Sequence, residues 1–394
     1  MPNDQPPTLP DPDALSAAHC EQVTAFIRQQ IKNGGGSISF AEFMQHALYA
    51  PGLGYYAAGS TKFGAAGDFV TAPEVSSVFG HVVARQCAEV LDQVEDGAVL
   101  EFGAGSGRLA ADVLARLETL DSLPVAYRIL EVSADLRERQ EKYLRQQVPD
   151  LAQLVSWLDT PPVGHRGVIL ANEVLDALPV ERFLRRGAGV MQQRVSAEPG
   201  GLEFIEAPAP ALLENAVFEL EADLGGTLPD GYTSEICLAL PDWIAQLEAG
   251  LDEGVAFLFD YGVSRREYYA AERADGWLRC HFRHHAHNDP LILPGIQDLT
   301  AWVDFTRVAE AAADAGFEVA AYSAQAQFLM SGGLEDEMSD FAALALEAQL
   351  ELSQQIKTLT LPGEMGEHFK CMALRKGTCR TPSAFTLADR THTL

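Results

Sequence analysis

Three glycines alternate in one short segment that follows an apolar run. The segment reads LEFGAGSGRLA, so Glu101 precedes Gly103, Ala104, Gly105 and Gly107. Glycine allows the backbone to turn sharply and to approach a ligand closely, and the helix that follows presents unpaired N–H groups to an anion. The acid ahead of the glycines can meet an ammonium group, directly or through water. The segment therefore predicts a loop that holds a small molecule with an anionic and an ammonium group.

Two common nucleotide-binding loops differ from this segment at defined positions. Counted from Gly103, the dinucleotide pattern G-x-G-x-x-G needs a third glycine where this chain has Arg108. A P-loop needs Gly-Lys-Ser/Thr, which does not follow the glycines. The carboxylate of a methionine moiety fits such a loop as well as a phosphate does.

A second acid lies at the end of the next predicted strand. Glu131 closes the run RILE, where a carboxylate can accept both hydroxyl groups of a ribose. Open α/β sheets bind ligands at the carboxyl ends of neighbouring strands, so the glycine loop and this acid lie on the same edge. Together they meet the requirements of S-adenosylmethionine (SAM). Asp159 closes the third strand, either as a contact to the adenine amino group or as a solvated turn residue.

Polar side chains also follow the fourth predicted strand, in the segment ANEVLDALP. Asn172, Glu173 and Asp176 lie where the methyl group of the cofactor is expected to point, and we assign them to catalysis. Methyl transfer is an in-line displacement, so the enzyme mainly positions the nucleophile. Two carboxylates can clamp a guanidinium, which stays protonated, in bidentate fashion. The alternative is structural, with Glu173 favouring a helix start and Asp176 capping the turn before Pro179.

The segment GDFVTAPE, ahead of the glycine loop, suits a lid over the cofactor. We assign Asp68 and Thr71 to the cofactor neighbourhood, because a lid that excludes water protects a reactive sulfonium. The alternative for Thr71 is a helix N-cap, with Glu74 three residues later. Apolar residues at helical spacing from Val75 to Val83 predict one amphipathic helix.

Strands and amphipathic helices alternate through most of the remaining chain, which predicts right-handed βαβ units and a parallel sheet. The predicted strands are AVLEF, AYRILEVS, LVSWLD, GVILAN, GVAFLFDYG, EVAAYSAQAQFL and FKCMALRKG. Seven strands with an antiparallel end predict an α/β fold with a doubly wound seven-stranded sheet. Glycine turns after Glu181 predict antiparallel pairs that interrupt this pattern. The predicted boundaries are 1–15 (disordered tail), 16–97 (N-terminal helical cap and cofactor lid), 98–180 and 251–394 (core, with a helical insertion at about 331–362) and 181–250 (inserted substrate subdomain).

Composition argues against several classes of protein. No apolar run approaches the roughly 20 residues of a membrane span, and the acidic, proline-rich N-terminus lacks the features of a signal or transit peptide, which indicates a cytoplasmic protein. A net charge of −28 argues against nucleic-acid binding. The histidines of segment 281–287 have no paired cysteines near them, so we expect no metal site there. Their segment contacts either a carboxylate-rich partner or the acids of the chain itself.

Four motifs occur in an order that resembles the MidA-like methyltransferases. These motifs are GDFVTAPEVSSVFG, LEFGAGSGRLAADVL, ILANEVLDALPVERF and DLTAWVDF. The likeness extends over nearly the whole chain and implies a class I SAM-dependent methyltransferase of Rossmann-like fold. By analogy with a mitochondrial member of the family, complex I assembly factor 7, it implies symmetric dimethylation of an arginine in a subunit of respiratory complex I. The last motif departs from the family pattern, because Trp302 stands where the family usually has histidine.

The resemblance implies a protein substrate that carries a target arginine. It leaves the oligomeric state open, with a homodimer as one possibility. Two other functions also stay open, because a fold does not determine its substrate. One is methylation of a small molecule or of another side chain, and the other is a SAM-binding assembly scaffold with little catalysis.

Overall fold

A computed structural model describes residues 9–58 and 71–394 of the chain. These residues form two compact units, each assembled from separate stretches of sequence. Unit 1 contains residues 9–58, 176–240 and 265–302, and unit 2 contains residues 71–175, 241–264 and 303–394. Among the helices of these stretches, none is long and apolar enough to cross a membrane.

The strands are numbered in chain order. They are β1 (Ser37–Ser39), β2 (Ala98–Phe102), β3 (Tyr127–Leu130), β4 (Val155–Leu158), β5 (His165–Asn172), β6 (Glu181–Arg186), β7 (Gly189–Glu198), β8 (Gly201–Pro208), β9 (Thr233–Ile236), β10 (Leu251–Val263), β11 (Leu278–Phe282), β12 (His285–His287), β13 (Asp298–Ala301), β14 (Val303–Asp304), β15 (Glu318–Ala324) and β16 (Phe369–Lys376).

The α-helices follow the same convention. They are α1 (Ala14–Asn33), α2 (Phe40–Tyr49), α3 (Ala72–Val75), α4 (Ser77–Leu91), α5 (Arg108–Thr119), α6 (Ala134–Gln147), α7 (Ala211–Leu224), α8 (Leu240–Gly250), α9 (Arg265–Tyr268), α10 (Phe305–Ala315), α11 (Gln325–Ser331), α12 (Leu334–Glu337), α13 (Leu346–Thr360) and α14 (Met365–His368).

Unit 2 is built on one twisted sheet with the strand order β15-β16-β10-β5-β2-β3-β4. The five strands from β10 to β4 are parallel, whereas β16 is antiparallel to both of its neighbours, β10 and β15. The short strand β14 adds a parallel pair to the end of β10. The predicted doubly wound seven-stranded sheet is confirmed. The carboxyl ends of β2, β3 and β5 lie on one edge, because these strands are parallel and adjacent.

Unit 1 contains two antiparallel sheets. The first has the order β1-β7-β6-β9, with β8 paired to β7, and the second has the order β12-β11-β13. The antiparallel pairs predicted after Glu181 are therefore present. Helix α2 begins with a capping box in which Ser39 Oγ accepts from Glu42 N (3.1 Å) and Glu42 Oε2 accepts from Ser39 N (2.7 Å). Phe40 and Phe43 of α2 pack with Val23 and Ile27 of α1 in the core of this unit.

Two predicted elements are wrong in detail. The helix expected from Val75 to Val83 is interrupted at Ser76, whose backbone is extended (φ −159°, ψ 141°). The Ser76 side chain then caps α4 by accepting from Val78 N (3.4 Å). The run EVAAYSAQAQFL is a strand only as far as Ala324, after which α11 begins. Gln325 is buried there and donates to Leu359 O (2.9 Å), which ties the start of α11 to α13.

The two units divide the chain differently from the predicted boundaries. Helices α1 and α2 lie in unit 1, whereas α4 lies in unit 2, where Gly80 allows α4 to approach α5 closely. A Cβ atom at Gly80 would lie 2.6 Å from Asp112 Cβ. The segment 16–97 is therefore shared between the units. The segment 181–250 is also shared, because residues 241–250 of α8 lie in unit 2, and residues 265–302 join unit 1. The substrate role of segment 181–250 stays a prediction.

Candidate cofactor and active site

The loop after β2 turns through three glycines with left-handed backbone. Gly103, Gly105 and Gly107 have φ values of +61°, +54° and +86°, which other residues adopt only with strain. Ala104 O closes the turn by accepting from Gly107 N (2.8 Å). A Cβ atom at Gly105 would meet no described atom within 4 Å. Gly107 is the N-cap of α5, so the loop combines open space with the N–H groups of a helix start, which suit a carboxylate.

Glu101 is the penultimate residue of β2, and its carboxyl group is buried. It is 2% exposed, and Tyr127 Oη donates to its Oε2 atom (2.6 Å). Burial raises the pKa of Glu101 to about 7, although the hydrogen bond from Tyr127 acts in the opposite direction. Near neutral pH the carboxyl group is therefore divided between its two protonation states. A cation beside it would favour the charged state.

Glu131 directly follows β3, and its carboxylate is held by two donors. It is 8% exposed, its Oε1 atom accepts from Ser133 N (2.9 Å), and its Oε2 atom accepts from Gln140 Nε2 (3.3 Å). Arg137 Nε donates to the backbone carbonyl of Glu131 (2.6 Å). The acid predicted to meet the ribose therefore has a fixed side chain at the carboxyl end of its strand.

Asp159 follows β4 and is mostly exposed, with 86% of its side chain open to solvent. Its Oδ1 atom accepts from Arg137 Nη2 (2.6 Å), and the same nitrogen donates to Leu158 O (3.0 Å). Asp159 and Glu131 are therefore both bonded to Arg137. The adenine contact and the solvated turn residue, which were the two sequence interpretations, both remain compatible with this position.

The end of β5 holds its polar residues through backbone conformation. Glu173 has left-handed backbone (φ +53°), which costs a residue other than glycine about 1–3 kcal/mol. Its N–H group donates to Phe259 O of β10 (2.8 Å), and Asn172 Nδ2 donates to Glu173 Oε1 (3.3 Å). The buried carboxylate of Asp260 accepts from Leu175 N (2.9 Å) and supports the same turn. Strain of this kind is often retained at functional sites.

Asp176 is the first residue of the next stretch of unit 1. Its side chain is buried, and its carbonyl oxygen accepts from Ala301 N (2.9 Å). Of the residues around it, sequence reasoning assigned no site role to Tyr49 or Asp298, whereas Tyr56 was expected either to close over substrate or to pack in the core. Tyr56 Oη donates to Asp298 Oδ1 (2.8 Å), and burial, followed by the charges of Asp298 and Asp176, raises the pKa of Tyr56 and of Tyr49. Unit 1 therefore brings two acids and two tyrosine rings together.

Of the two residues predicted to line a lid, Thr71 directly precedes α3, and Asp68 lies outside the described residues. Thr71 occupies the N-cap position but makes no side-chain hydrogen bond to α3. Glu74 of α3 accepts a hydrogen bond from Ser106 in the glycine loop and lies 3.8 Å from Arg108 Nη1. The segment that follows Thr71 is therefore in contact with the glycine loop.

Trp302 stacks on the buried ring of Trp277, with 4.2 Å between the ring centroids and 25° between the ring planes. Arg273 lies over the Trp277 ring, 4.0 Å from its centroid. In the histidine-rich segment, Arg283 pairs with Asp13, so part of this segment contacts the acids of the chain itself. Within residues 9–58 and 71–394, no group of three or more histidine, cysteine, aspartate or glutamate side chains could hold a metal ion.

Two further residues of this region were missed, Tyr127 and Gln140. Both side chains are wholly buried. Tyr127 bonds to Glu101, and Gln140 bonds to Gly105 and Glu131, so all of these partners lie in other parts of the structure. Neither belongs to a local motif. The only sequence signal is a polar group on an otherwise apolar face of a strand or helix.

Residues 82–323, more than half of the chain, match the family model described as "Putative S-adenosyl-L-methionine-dependent methyltransferase". The chain belongs to this family. It is an SAM-dependent methyltransferase of the α/β class, and SAM is its methyl donor.

Solved and curated relatives resemble this methyltransferase over most of its length. A crystal structure from Burkholderia thailandensis, of a protein bound to S-adenosyl-homocysteine, is 38% identical with a TM-score of 0.91, and the match covers 98% of this chain and 100% of that chain. The protein arginine methyltransferase NDUFAF7, mitochondrial, of Danio rerio is 28% identical, over 85% of this chain and 82% of its own. The human protein of the same name is 29% identical, over 86% of this chain and 80% of its own.

Proposed function

We propose that this methyltransferase modifies a guanidinium nitrogen of an arginine in a protein substrate. The observation that carries the proposal is the placement of Glu173, an acid held in left-handed backbone directly after β5. Glycine adopts this backbone at the lowest cost, so we infer that the carboxylate of Glu173 has a function that offsets the strain. The likeness to protein arginine methyltransferases supports arginine as the target.

The groups at the ends of β2 and β3 fit the parts of SAM. Gly103, Gly105 and Gly107 leave open space at the start of α5, to which we assign the methionine carboxylate, and we assign Glu101 to the ammonium group. Glu131 is a fixed, buried acceptor for the ribose hydroxyl groups. When bound, SAM supplies an electrophilic methyl group whose bonding electron pair stays with the sulfur as a nitrogen lone pair forms the new N–C bond.

Glu173 and its neighbours act on the nucleophile. A guanidinium is protonated at every working pH and shares its charge over three nitrogens. A carboxylate that accepts two of its N–H groups turns one nitrogen toward the methyl group and localises the lone pair there. We assign this role to Glu173, with Asn172 orienting its Oε1 atom. The reacting nitrogen becomes acidic as the N–C bond forms, and Glu173 accepts the proton that it loses.

Asp176 is assigned to recognition of the arginine side chain, and the tyrosines that surround it lie with it in unit 1. Carboxylates attract a guanidinium, and aromatic rings stack on its flat faces. Tyr49 and Tyr56 lie near both Asp176 and Asp298, so this group has the chemistry that an arginine side chain requires. Thr71 and Asp68 are assigned to the lid that limits the access of water to the sulfonium. Asp159 is assigned to the adenine.

The resemblance to the complex I assembly factor extends the proposal to the product and the partner. We infer symmetric dimethylarginine as the product and a subunit of respiratory complex I, or a similar protein, as the substrate. The net charge of −28 favours a partner that presents arginine on a basic segment, because opposite charges accelerate encounter.

The decisive experiment is transfer of labelled methyl groups from SAM into a lysate of cells that lack this gene, followed by acid hydrolysis and amino-acid analysis. The expected result is label in symmetric dimethylarginine on one or a few proteins. Glu173→Gln should lose this label, and Glu138→Gln, a change at an exposed glutamate of α6, should keep it.

Three other outcomes would contradict the proposal in different ways. Label in a small molecule or in another amino acid would remove arginine as the target. Label in asymmetric dimethylarginine would contradict only the proposed product, symmetric dimethylarginine, and would keep arginine as the target. If no protein is labelled although calorimetry confirms S-adenosyl-homocysteine binding, the result favours the alternative function, a SAM-binding assembly scaffold.

A further inference from the structure

Gln140 of α6 is a wholly buried polar side chain that contacts the carboxyl ends of three neighbouring strands. Its Nε2 atom donates to Gly105 O in the loop after β2 (3.0 Å) and to Glu131 Oε2 after β3 (3.3 Å). Its Oε1 atom accepts from Trp157 Nε1 of β4 (2.8 Å). One amide therefore links the glycine loop, the acid after β3 and a strand that does not carry either of them.

The partners fix the orientation of this amide. An indole N–H group only donates and a backbone carbonyl oxygen only accepts, so Trp157 must face Oε1 and Gly105 must face Nε2. The second N–H group of the amide is then directed to Glu131. A reversed amide would place the indole N–H group opposite a donor and the carbonyl oxygen opposite an acceptor, and both buried groups would lose their hydrogen bonds.

The backbone of α6 also approaches the glycine loop. A Cβ atom at Gly107 would lie 3.4 Å from Gln140 Cα. One turn earlier on α6, Arg137 donates to the carbonyl oxygens of Glu131 and Leu158 (2.6 and 3.0 Å). Gln140 therefore acts on the side chain of Glu131, while Arg137 acts on its backbone.

A carboxylate that accepts two hydroxyl groups of one ribose must hold both of its oxygens in a defined plane. Glu131 has one donor on each oxygen, Ser133 N on Oε1 and Gln140 Nε2 on Oε2. Since Ser133 donates from the backbone next to Glu131, Gln140 is the contact that comes from a separate element. Loss of Gln140 frees Oε2 and lets the carboxylate rotate.

We propose that Gln140 is a positioning residue that determines ribose recognition through Glu131. The inference rests on the proposed role of Glu131 as the ribose acceptor. Gln140 does not have to contact the cofactor. It sets the plane of the Glu131 carboxylate and holds Gly105 at the same time, so ribose and methionine recognition are coupled through one side chain.

The test is calorimetric binding of two probes to the full-length protein, S-adenosyl-homocysteine and its 2′-deoxy analogue. The wild type should bind the first at least about 10-fold more tightly, as expected for a hydrogen bond to a charged group. Gln140→Met keeps the size of the side chain and removes both polar atoms. It should reduce this ratio to below about 3-fold, mainly by weakening the natural ligand.

Trp157→Phe and Gln146→Met are the companion variants. Trp157→Phe removes only the donor to Gln140 Oε1, and we expect an intermediate ratio. Gln146→Met changes an exposed glutamine of the same helix and should leave the ratio unchanged. If Gln140→Met fails to fold, Trp157→Phe carries the test alone.

The results separate this inference from the role of Glu131. A wild-type ratio that persists in both Gln140→Met and Trp157→Phe would overturn the positioning role, and so would a loss of affinity for both probes by the same factor. A wild type that does not discriminate between the probes, with Glu131→Gln binding both as the wild type does, would remove the ribose role and the inference with it.

Discussion

The two polar regions at the edge of the unit 2 sheet are held in place by different means. At the ends of β2 and β3, side chains fix the acids: Tyr127 bonds to Glu101, and Gln140 bonds to Glu131. At the end of β5, the backbone fixes the acid, because Glu173 is held in left-handed conformation by a hydrogen bond to Phe259 O. In the first region each acid accepts a hydrogen bond from a buried side chain of another element, whereas in the second region Glu173 also has a strained backbone.

This difference matches the two kinds of ligand that we propose for the two regions. A cofactor has the same groups in every reaction cycle, so acids that are fixed in advance lose little entropy on binding it. A nucleophile must be turned toward a methyl group, which requires one carboxylate at one angle. A strained backbone supplies that angle at the expense of stability.

Glu173→Gln should separate the two regions most strongly. The amide of glutamine keeps the shape of the side chain. It has no negative charge to hold a guanidinium, and it cannot accept the proton that the guanidinium loses. We expect kcat to fall by about 10²- to 10⁴-fold, the usual range for loss of proton transfer. The affinity for S-adenosyl-homocysteine, measured by calorimetry, should stay within about 2-fold. Normal turnover would show that the acid after β5 serves structure alone.

Glu131→Gln should produce the opposite pattern. Loss of a charged hydrogen bond to the ribose should weaken S-adenosyl-homocysteine binding by about 10- to 100-fold. The variant should recover much of its kcat at saturating SAM, because the groups after β5 are untouched. Steady-state kinetics over a range of SAM concentrations measures both parameters. A fall in kcat with an unchanged KM for SAM would show that Glu131 acts in catalysis, and would contradict the separation of the two regions.

Glu101 should make cofactor binding pH-dependent. Burial raises its pKa to about 7, so at pH 6 it is mostly protonated in the folded protein. The ammonium group of the ligand favours the carboxylate, so binding should release a proton at pH 6 and almost none at pH 8. Calorimetry of S-adenosyl-homocysteine binding in buffers with different ionisation enthalpies measures the release. Glu101→Gln should abolish it, and release that persists in this variant would assign the proton to another group.

The same shift affects stability. Folding raises the pKa of Glu101 from 4.5 to about 7, so the folded state favours the protonated form. The contribution of this group to the free energy of unfolding is therefore largest below pH 4.5 and decreases as the pH rises toward 7.

The smallest expected effect concerns the strain itself. At position 173, Gly should be more stable than Ala by about 0.5–1 kcal/mol, because the left-handed penalty for alanine exceeds the entropy cost of glycine. At position 138, exposed in the middle of α6, the order should reverse by about 1 kcal/mol. Chemical denaturation of the four variants measures both differences. If the Gly and Ala variants have the same order of stability at both positions, the backbone at position 173 is not strained.

Local motifs predicted the parallel sheet and the acids at its edge well, because each of them depends on a few consecutive residues. Glu101, Glu131 and Glu173 all follow short apolar runs. The roles assigned to them remain predictions.

Features that depend on distant contacts were not predictable in this way. Gln140 has no motif, and its partners lie in three other elements. The break at Ser76 is also invisible in a pattern of apolar residues, because α3 and α4 keep helical spacing on both sides of it. Residues 265–302 join unit 1 through contacts with distant parts of the sequence, such as the hydrogen bond from Trp277 N to Glu235 Oε2 and the packing against a core that begins at Val23.

Strand β16 is the last strand of the sheet to be synthesised. It lies between β10 and β15 and is antiparallel to both, yet it is translated after both of them. Until residues 369–376 have left the ribosome, the facing edges of β10 and β15 carry unpaired N–H and C=O groups. We therefore expect the nascent chain to be most prone to aggregation at this stage.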